Sequence, residues 1–302
     1  AGLDNPTLNV GKMRNQGFEL ELNWNDKISD FEYNVGFNIS TIANKVVALA
    51  NEDQTIYGVG LKYGTEHFPT QTKVGKPIGA FYLYQADGIF QSLEEVQAHK
   101  NSKGELLQPN AQPGDVRFKD MNGDGVIDED DKTYSGTGIA KVEANLNLGA
   151  SYKGFDFSAV IGSAFGNKLY NGIRYYYEGM NSGSNFLKTT LNAWTPTNTK
   201  TDIPRAVFGD PNQNTRESTR FLENGDFVRL RQVQLGYTLP KALSKHIYCE
   251  SIRFYVSAEN VFTITGYSGA NPEFSQGVLN SGVDRFTYPF SRSYTVGAQV
   301  SF

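Results

Sequence analysis

Glu143–Gly162, EANLNLGASYKGFDFSAVIG, holds two short alternating runs on either side of Lys153-Gly154. In the first, Ala144, Leu146, Leu148, Ala150 and Tyr152 oppose Glu143, Asn145, Asn147 and Ser151. In the second, Phe155, Phe157, Ala159 and Ile161 oppose Asp156, Ser158 and Gly162. A side-chain period of two marks a strand with one apolar and one polar face. A Lys-Gly pair between two such runs is a tight hairpin turn. The stretch therefore predicts an antiparallel hairpin. By itself it fits a soluble sandwich with the apolar face inward, or a membrane barrel with that face toward lipid.

Working outward, the alternation recurs over Phe18–Trp24, Phe31–Ile39, Val233–Tyr237, Ile252–Ala258 and Tyr294–Phe302, which brings the count to seven strands. Their polar faces carry Glu19, Glu21, Glu32, Arg253 and Glu259, suited to a wet lumen. The connections are short at Asn25–Asp30, long over 43–142, short at Lys153-Gly154, long over 166–225, short over 239–250 and longer over 265–287. In an up-and-down sheet alternate connections share an end, so one end carries tight turns and the other large loops. Outer-membrane barrels have that asymmetry, with short periplasmic turns and long extracellular loops. A Greek-key sandwich has no reason to produce it.

The expected fold is thus all-β: antiparallel strands of a transmembrane β-barrel with long extracellular loops. Bacterial barrels close with an even strand number, and unpaired edges do not face lipid. The 1–302 chain is accordingly expected to be the C-terminal portion of a larger barrel. The alternative is a further strand inside 43–142, for which Ala80–Tyr84 is the candidate. Phe302, ending an alternating strand, is expected at the periplasmic interface, in an aromatic girdle.

Composition agrees and excludes. The 20 Phe and 17 Tyr are many for 302 residues, and a net charge of −4 offers no basic field for nucleic acid. The single cysteine, Cys249, rules out an internal disulfide and a cysteine-rich metal site. No apolar run reaches the length of a membrane helix, but barrel strands need only about 9–11 residues. Ala1–Asn5 has neither a charged nor an apolar segment of the secretory type, so the chain is expected to be a mature form or to start partway through something longer.

One motif carries sharp chemistry. Asp120–Asp131, DMNGDGVIDEDD, follows the twelve-residue calcium-loop pattern. Asp120, Asn122 and Asp124 supply side-chain oxygens, Gly125 the sharp turn, and Val126 a backbone carbonyl. Asp131 closes the loop where the usual residue is glutamate, and Asp128 is placed to bind through a water. Val116-Arg117-Phe118 before it reads as extended, so a solitary structural calcium loop is expected.

Other constellations dissolve. His67, His99 and His246 lack the spacing of a zinc site or triad. Gly162–Gly166 resembles a nucleophile elbow only loosely, and Glu94-Glu95 reads as a solvated helical face. Tyr175-Tyr176-Tyr177 suits a sugar platform, an interfacial belt or plain packing. A glycoside-processing enzyme would need facing carboxylates about 5–9 Å apart, which no spacing here places. No catalytic set remains, and no bond chemistry is expected.

Several segments, in order, resemble one family. They are Asn9–Leu20, Gly75–Tyr82, Asp87–Ser92, Gly114–Phe118 running into Asp120–Asp131, Trp194–Pro196, Asp202–Ala206, Phe227–Leu230, Leu235–Pro240, Tyr255–Ile264 and the terminal strand. Together they are similar to the SusC-like (SusC/RagA) TonB-dependent transporters of Gram-negative outer membranes. The resemblance implies a plugged barrel of the roughly 22-stranded class, of which this chain would be the last part. It also implies import of oligosaccharides or peptides, a SusD-like surface lipoprotein as lid, and coupling to a TonB complex. Coupling would run through an N-terminal plug and energy-coupling box outside this chain. The alternative is a secreted, soluble β-rich module, calcium-stabilised and carbohydrate-binding.

Overall fold

The computed structural model describes residues 11–302 apart from 52, 64, 182–184 and 275. The Ala1–Asn5 start, and Asn9 and Val10 of the family-like opening, lie outside the described residues.

Seven strands form one antiparallel sheet in chain order: β1 (Glu19–Ile28), β2 (Phe31–Thr41), β3 (Val142–Tyr152), β4 (Phe155–Phe165), β5 (Phe227–Thr238), β6 (Ser251–Thr265) and β7 (Ser293–Ser301). The opening hairpin is β3–β4, in register from Val142↔Phe165 to Tyr152↔Phe155. Lys153 and Gly154 both take positive φ, 46° and 89°, the left-handed pair that matches the twist of a two-residue hairpin. At the β1–β2 turn Ser29 alone takes positive φ, 58°. The third tight connection contains one helical turn, Lys241–Ser244.

The sheet's apolar face is on the outside. Leu235, Val256 and Val296 sit side by side on β5, β6 and β7, yet are 49%, 50% and 84% exposed. Trp24, Phe157, Phe254, Ile264 and Tyr294 extend the band. A contiguous apolar surface of that extent marks an interaction face in a water-soluble protein; on an alternating sheet it is the lipid face of a barrel wall. Among the described residues no helix is long and apolar enough to cross a membrane.

The opposite face is polar and cross-linked. Asp156 on β4 and Arg253 on β6 pair across the intervening strand, Arg253 Nε to Asp156 Oδ1 at 2.9 Å. They meet over Gly236, where a Cβ would lie 2.5 Å from both partners. Glycine is needed there because the bridge passes over its backbone.

β5 changes face partway up. From Gln232 to Thr238, even-numbered residues face the lumen: Gln232 pairs with Val160 and Glu259, Gln234 with Ser158 and Ser257. Above Arg231 the pairing resumes one residue out of step, Leu230 with Ile161 and Phe262, Arg229 with Gly162 and Thr263. Arg231 is an inserted residue, a β-bulge. Beyond it the odd-numbered Phe227 and Arg229 turn inward and are buried, at 5% and 3% exposure.

The long connections, 42–141, 166–226 and 266–292, fold on one another at the end of the wall opposite the tight turns. One four-stranded sheet runs Thr133–Thr137, Ala80–Leu83, Thr70–Thr72 and Ile56–Tyr57. A three-stranded sheet joins the second and third connections through Leu222–Asn224, Lys168–Asn171 and Val283–Asp284. A common core of Leu61, Phe81, Leu83, Tyr170, Tyr175, Phe221 and Val283, each fully buried, draws on all three connections. The Ala80–Leu83 strand is thus part of this loop cap and not of the wall. Glu273 ties cap to wall, accepting from Arg229 Nη1 and Arg231 Nη2, each at 3.0 Å.

Candidate functional site

The Asp120–Asp131 segment is a loop stitched by its own side-chain oxygens. Asp120 accepts from the amides of Gly123 at 2.6 Å and Gly125 at 2.9 Å. Asn122 Oδ1 accepts from the Asp124 amide, and Asp124 Oδ1 from that of Val126, both at 2.9 Å. Gly123 and Gly125 hold φ of 77° and 93°, the left-handed region such a sharp turn requires. Asp131 is wholly buried and spans the loop, with Oδ1 on the Met121 amide and Oδ2 on the Asp128 amide. Asp128 caps the short 3-10 turn Glu129–Asp131. Among the described residues no group of three or more His, Cys, Asp or Glu side chains is already gathered as a metal cluster. The donors are nonetheless oxygens throughout, the kind a hard cation takes, and Asp120 Oδ1 and Oδ2, each accepting one amide, keep a second lone pair.

Next to this loop the structure assembles a charge cluster in a cleft of about 990 Å³, bordered by Tyr57, His67, Phe68, Tyr84, Asp210 and Arg216. Glu217 is 3% exposed and lies between His67 Nδ1 and Lys132 Nζ. Lys132 also donates to Glu129 Oε2 at 2.6 Å, and Tyr84 Oη donates to Glu129 Oε1 at 3.2 Å. Burial pushes the Glu217 carboxyl up, but His67 and Lys132 outweigh it and hold the group below its ordinary value. Burial likewise pulls the Lys132 ammonium down, and Glu217 with Glu129 more than offsets this, holding it above its ordinary value. Both groups stay charged because each supplies what the other lacks.

No reading of spacing finds this cluster. His67 and Lys132 come from the first long connection and Glu217 from the second, joined only by the fold. The three histidines serve separate parts of the molecule: His99 Nε2 meets the Phe118 carbonyl at 3.0 Å and His246 Nδ1 the Ala242 carbonyl at 2.6 Å. Burial lowers the affinity of His99 for a proton. Ser163, in the elbow-like Gly162–Gly166, donates to the Ala144 carbonyl at 2.8 Å as an ordinary sheet residue. Tyr175 lies in the cap core, while Tyr177 stacks edge-on with Phe286 at 5.7 Å. Glu94 and Glu95 sit in the first turn of the helix Leu93–Ala98, which Ser92 caps.

No protein-family model matches the chain. By sequence it is similar to TonB-dependent receptor P3 of Formosa agariphila, 29% identical over 311 residues, covering 100% of this chain and 30% of that protein. It is likewise similar to TonB-dependent receptor SusC of Bacteroides thetaiotaomicron, 26% identical across 98% of this chain and 27% of that protein. By structure it matches the RagAB peptide transporter with a TM-score of 0.73 and 26% identity, over 97% of this chain and 30% of that one. The chain is thus similar along its whole length to TonB-dependent receptors, SusC among them. It is a wall segment of an outer-membrane β-barrel together with the loops that crown it, and it spans about 30% of the length of these relatives.

Proposed function

We propose that this SusC-like chain belongs to a TonB-dependent importer of nutrient ligands, oligosaccharides or peptides, across the outer membrane. The ligand passes a gated lumen without bond chemistry. A SusD-like lipoprotein closes over the loop cap, and an inner-membrane TonB complex acts through the N-terminal part of the protein. The observation that carries this reading is the reversal of hydrophobicity between the two halves of the chain. The wall turns apolar side chains outward and ion pairs inward, while the cap folds around its own apolar core. A soluble module would bury Phe254, Val256 and Val296, which here are exposed.

Uptake tests it. Cells carrying the full-length protein should accumulate a labelled oligosaccharide or peptide, and lose that uptake when TonB is deleted. Uptake unchanged by loss of either protein would overturn the proposal.

Within the same reading, the Asp120–Asp131 loop holds a calcium ion through Asp120, Asn122, Asp124, the Val126 carbonyl and Asp131. The fit is one of donor type and order along the chain. The ion would add positive charge among the carboxylates and stiffen the 42–141 connection. Protease cleavage within 42–141 should rise in chelator and fall again with added calcium, the wall strands staying intact. Identical cleavage in both conditions would remove calcium from the account.

A further inference from the structure

Arginines in this chain that are turned from solvent are neutralised, with one exception. Arg117, Arg174, Arg205, Arg220, Arg229 and Arg253 each have a carboxylate oxygen within 4.0 Å. Arg216 is only partly exposed, yet among the described residues no carboxylate reaches it at that distance. Of the five N–H donors of a guanidinium, one is spent on Gln213 Oε1 at 3.0 Å. Its Nε is buried without a hydrogen-bond partner.

The group is nevertheless held firmly. Its guanidinium carbon stands 4.8 Å from the centre of the Tyr84 ring and 4.7 Å from that of Phe118. The loop before it is braced: the Asp210 carboxylate accepts from the Asn214 amide at 2.7 Å and from the Thr215 hydroxyl at 2.6 Å. Asn214 in turn donates to Asp115 at 3.0 Å. The nearby acids are committed elsewhere, Asp210 to this loop, Glu129 to Lys132 and Tyr84, and Glu217 to Lys132 and His67. Arg216 borders the 990 Å³ cleft, a size within the range of ligand pockets. A planar cation, preset by two rings and short of an acceptor, is a receptor for a planar anion.

The cleft also limits the anion's charge. Its border carries Lys62, Lys132 and Arg216, with His67 paired to Glu217, against Glu66, Glu129, Asp210 and Glu217. With no surplus of base, the cleft suits a singly charged carboxylate better than a doubly charged phosphate. On the border of the same cleft the Tyr57 and Phe68 rings, 5.4 Å apart, offer an apolar wall to the rest of a ligand. We propose that this cleft is a carboxylate-binding subsite, in which Arg216 receives the carboxylate of an organic ligand such as a peptide C-terminus or a uronate sugar. The subsite rests on the import reading, as a place where the incoming ligand is held in the cap.

Calorimetric titration of the full-length protein in detergent tests it, with two pairs of probes. Tri-alanine is compared with its C-terminal amide, and tri-galacturonate with its methyl ester. Whichever source is the true one, the free acid should bind roughly ten-fold or more tighter than its neutral form, the worth of a charge-assisted hydrogen bond. Arg216→Gln should erase that difference. Arg216→Lys, which keeps the charge but not the fork, should retain part of it, and covers the case in which the Gln variant does not fold. A wild-type protein that binds acid and neutral forms alike, or binds none, overturns the subsite, and so does a folded Arg216→Lys variant equal to wild type. Uptake scored in parallel separates the two claims: uptake that persists while Arg216 proves irrelevant sinks the subsite alone.

Discussion

Phe254 on the wall and Phe81 in the cap are the same residue in opposite solvents. Phe254 is 51% exposed on the outer face of β6, in a band with Val256 and Val296, whereas Phe81 is wholly buried against Tyr170. The wall is stabilised by strand pairing, with its apolar side chains left to lipid. The cap is stabilised as a soluble domain is, by removing apolar surface from water. One chain therefore obeys two burial rules, and the boundary between them lies near Arg229 and Arg231, where Glu273 binds the two together.

Substitutions can break that comparison, and the largest effect belongs to the cap. Phe81→Ala should cost about 3–5 kcal/mol of local stability, read as lost amide-exchange protection in 42–141 with protection of β3–β6 unchanged. Equal loss in both regions would mean that the cap has no core of its own. On the wall, Val256→Arg should cost about 2–4 kcal/mol at mid-bilayer depth. The lumen-facing Gln234→Arg should cost far less in the same urea titration in lipid vesicles. Matching costs would contradict the assignment of faces.

Acidity sharpens the comparison further. Glu217 sits below its ordinary 4.5, so its contribution is present above that value and is lost as pH falls through the lower value it has in the fold. Lys132 sits above its ordinary 10.5, so its contribution is complete below that value and is lost as pH rises through its folded value. Proteolysis of the cap should thus be slowest between about pH 5 and 10, while the wall strands, held chiefly by backbone pairing, should change less with pH. A flat profile in Glu217→Gln would confirm the source; a flat profile in the wild type would dismiss it. The smallest effect belongs to the exposed Lys27–Glu32 pair beside the β1–β2 turn. Lys27→Met should leave the urea midpoint unchanged, because water screens that pair.

The wall was legible because a barrel strand writes its environment into every second residue. Ala144 to Tyr152 and Phe155 to Ile161 could be read directly, down to the two-residue turn at Lys153-Gly154. The cap was not. Its strands are two to five residues long, too short for a period to emerge, and its core residues are scattered from Leu61 to Val283. Ala80–Tyr84 stood out, yet sequence alone could not assign it to cap or wall. The Asp120–Asp131 pattern was visible because its side chains act on neighbours within the loop. Arg216 was invisible for the opposite reason: its distinction is the lack of a carboxylate partner, and a partner can be missed only once the fold has gathered the candidates.

The bulge at Arg231 has a consequence for how β5 can change in evolution. Below it the strand is written in one phase, with Val233, Leu235 and Tyr237 for lipid; above it the phase inverts, and Leu230 and Val228 take over that face. One added residue thus works as a punctuation mark between two messages of opposite frame. Drawing Arg231 into regular pairing, with no bulge, would send Arg229 toward lipid and Leu230 toward water, whereas removing Arg231 altogether would leave Gln232, Leu230 and Arg229 on their present faces. What the two phases require is that the strand stay bulged for as long as Arg231 is present.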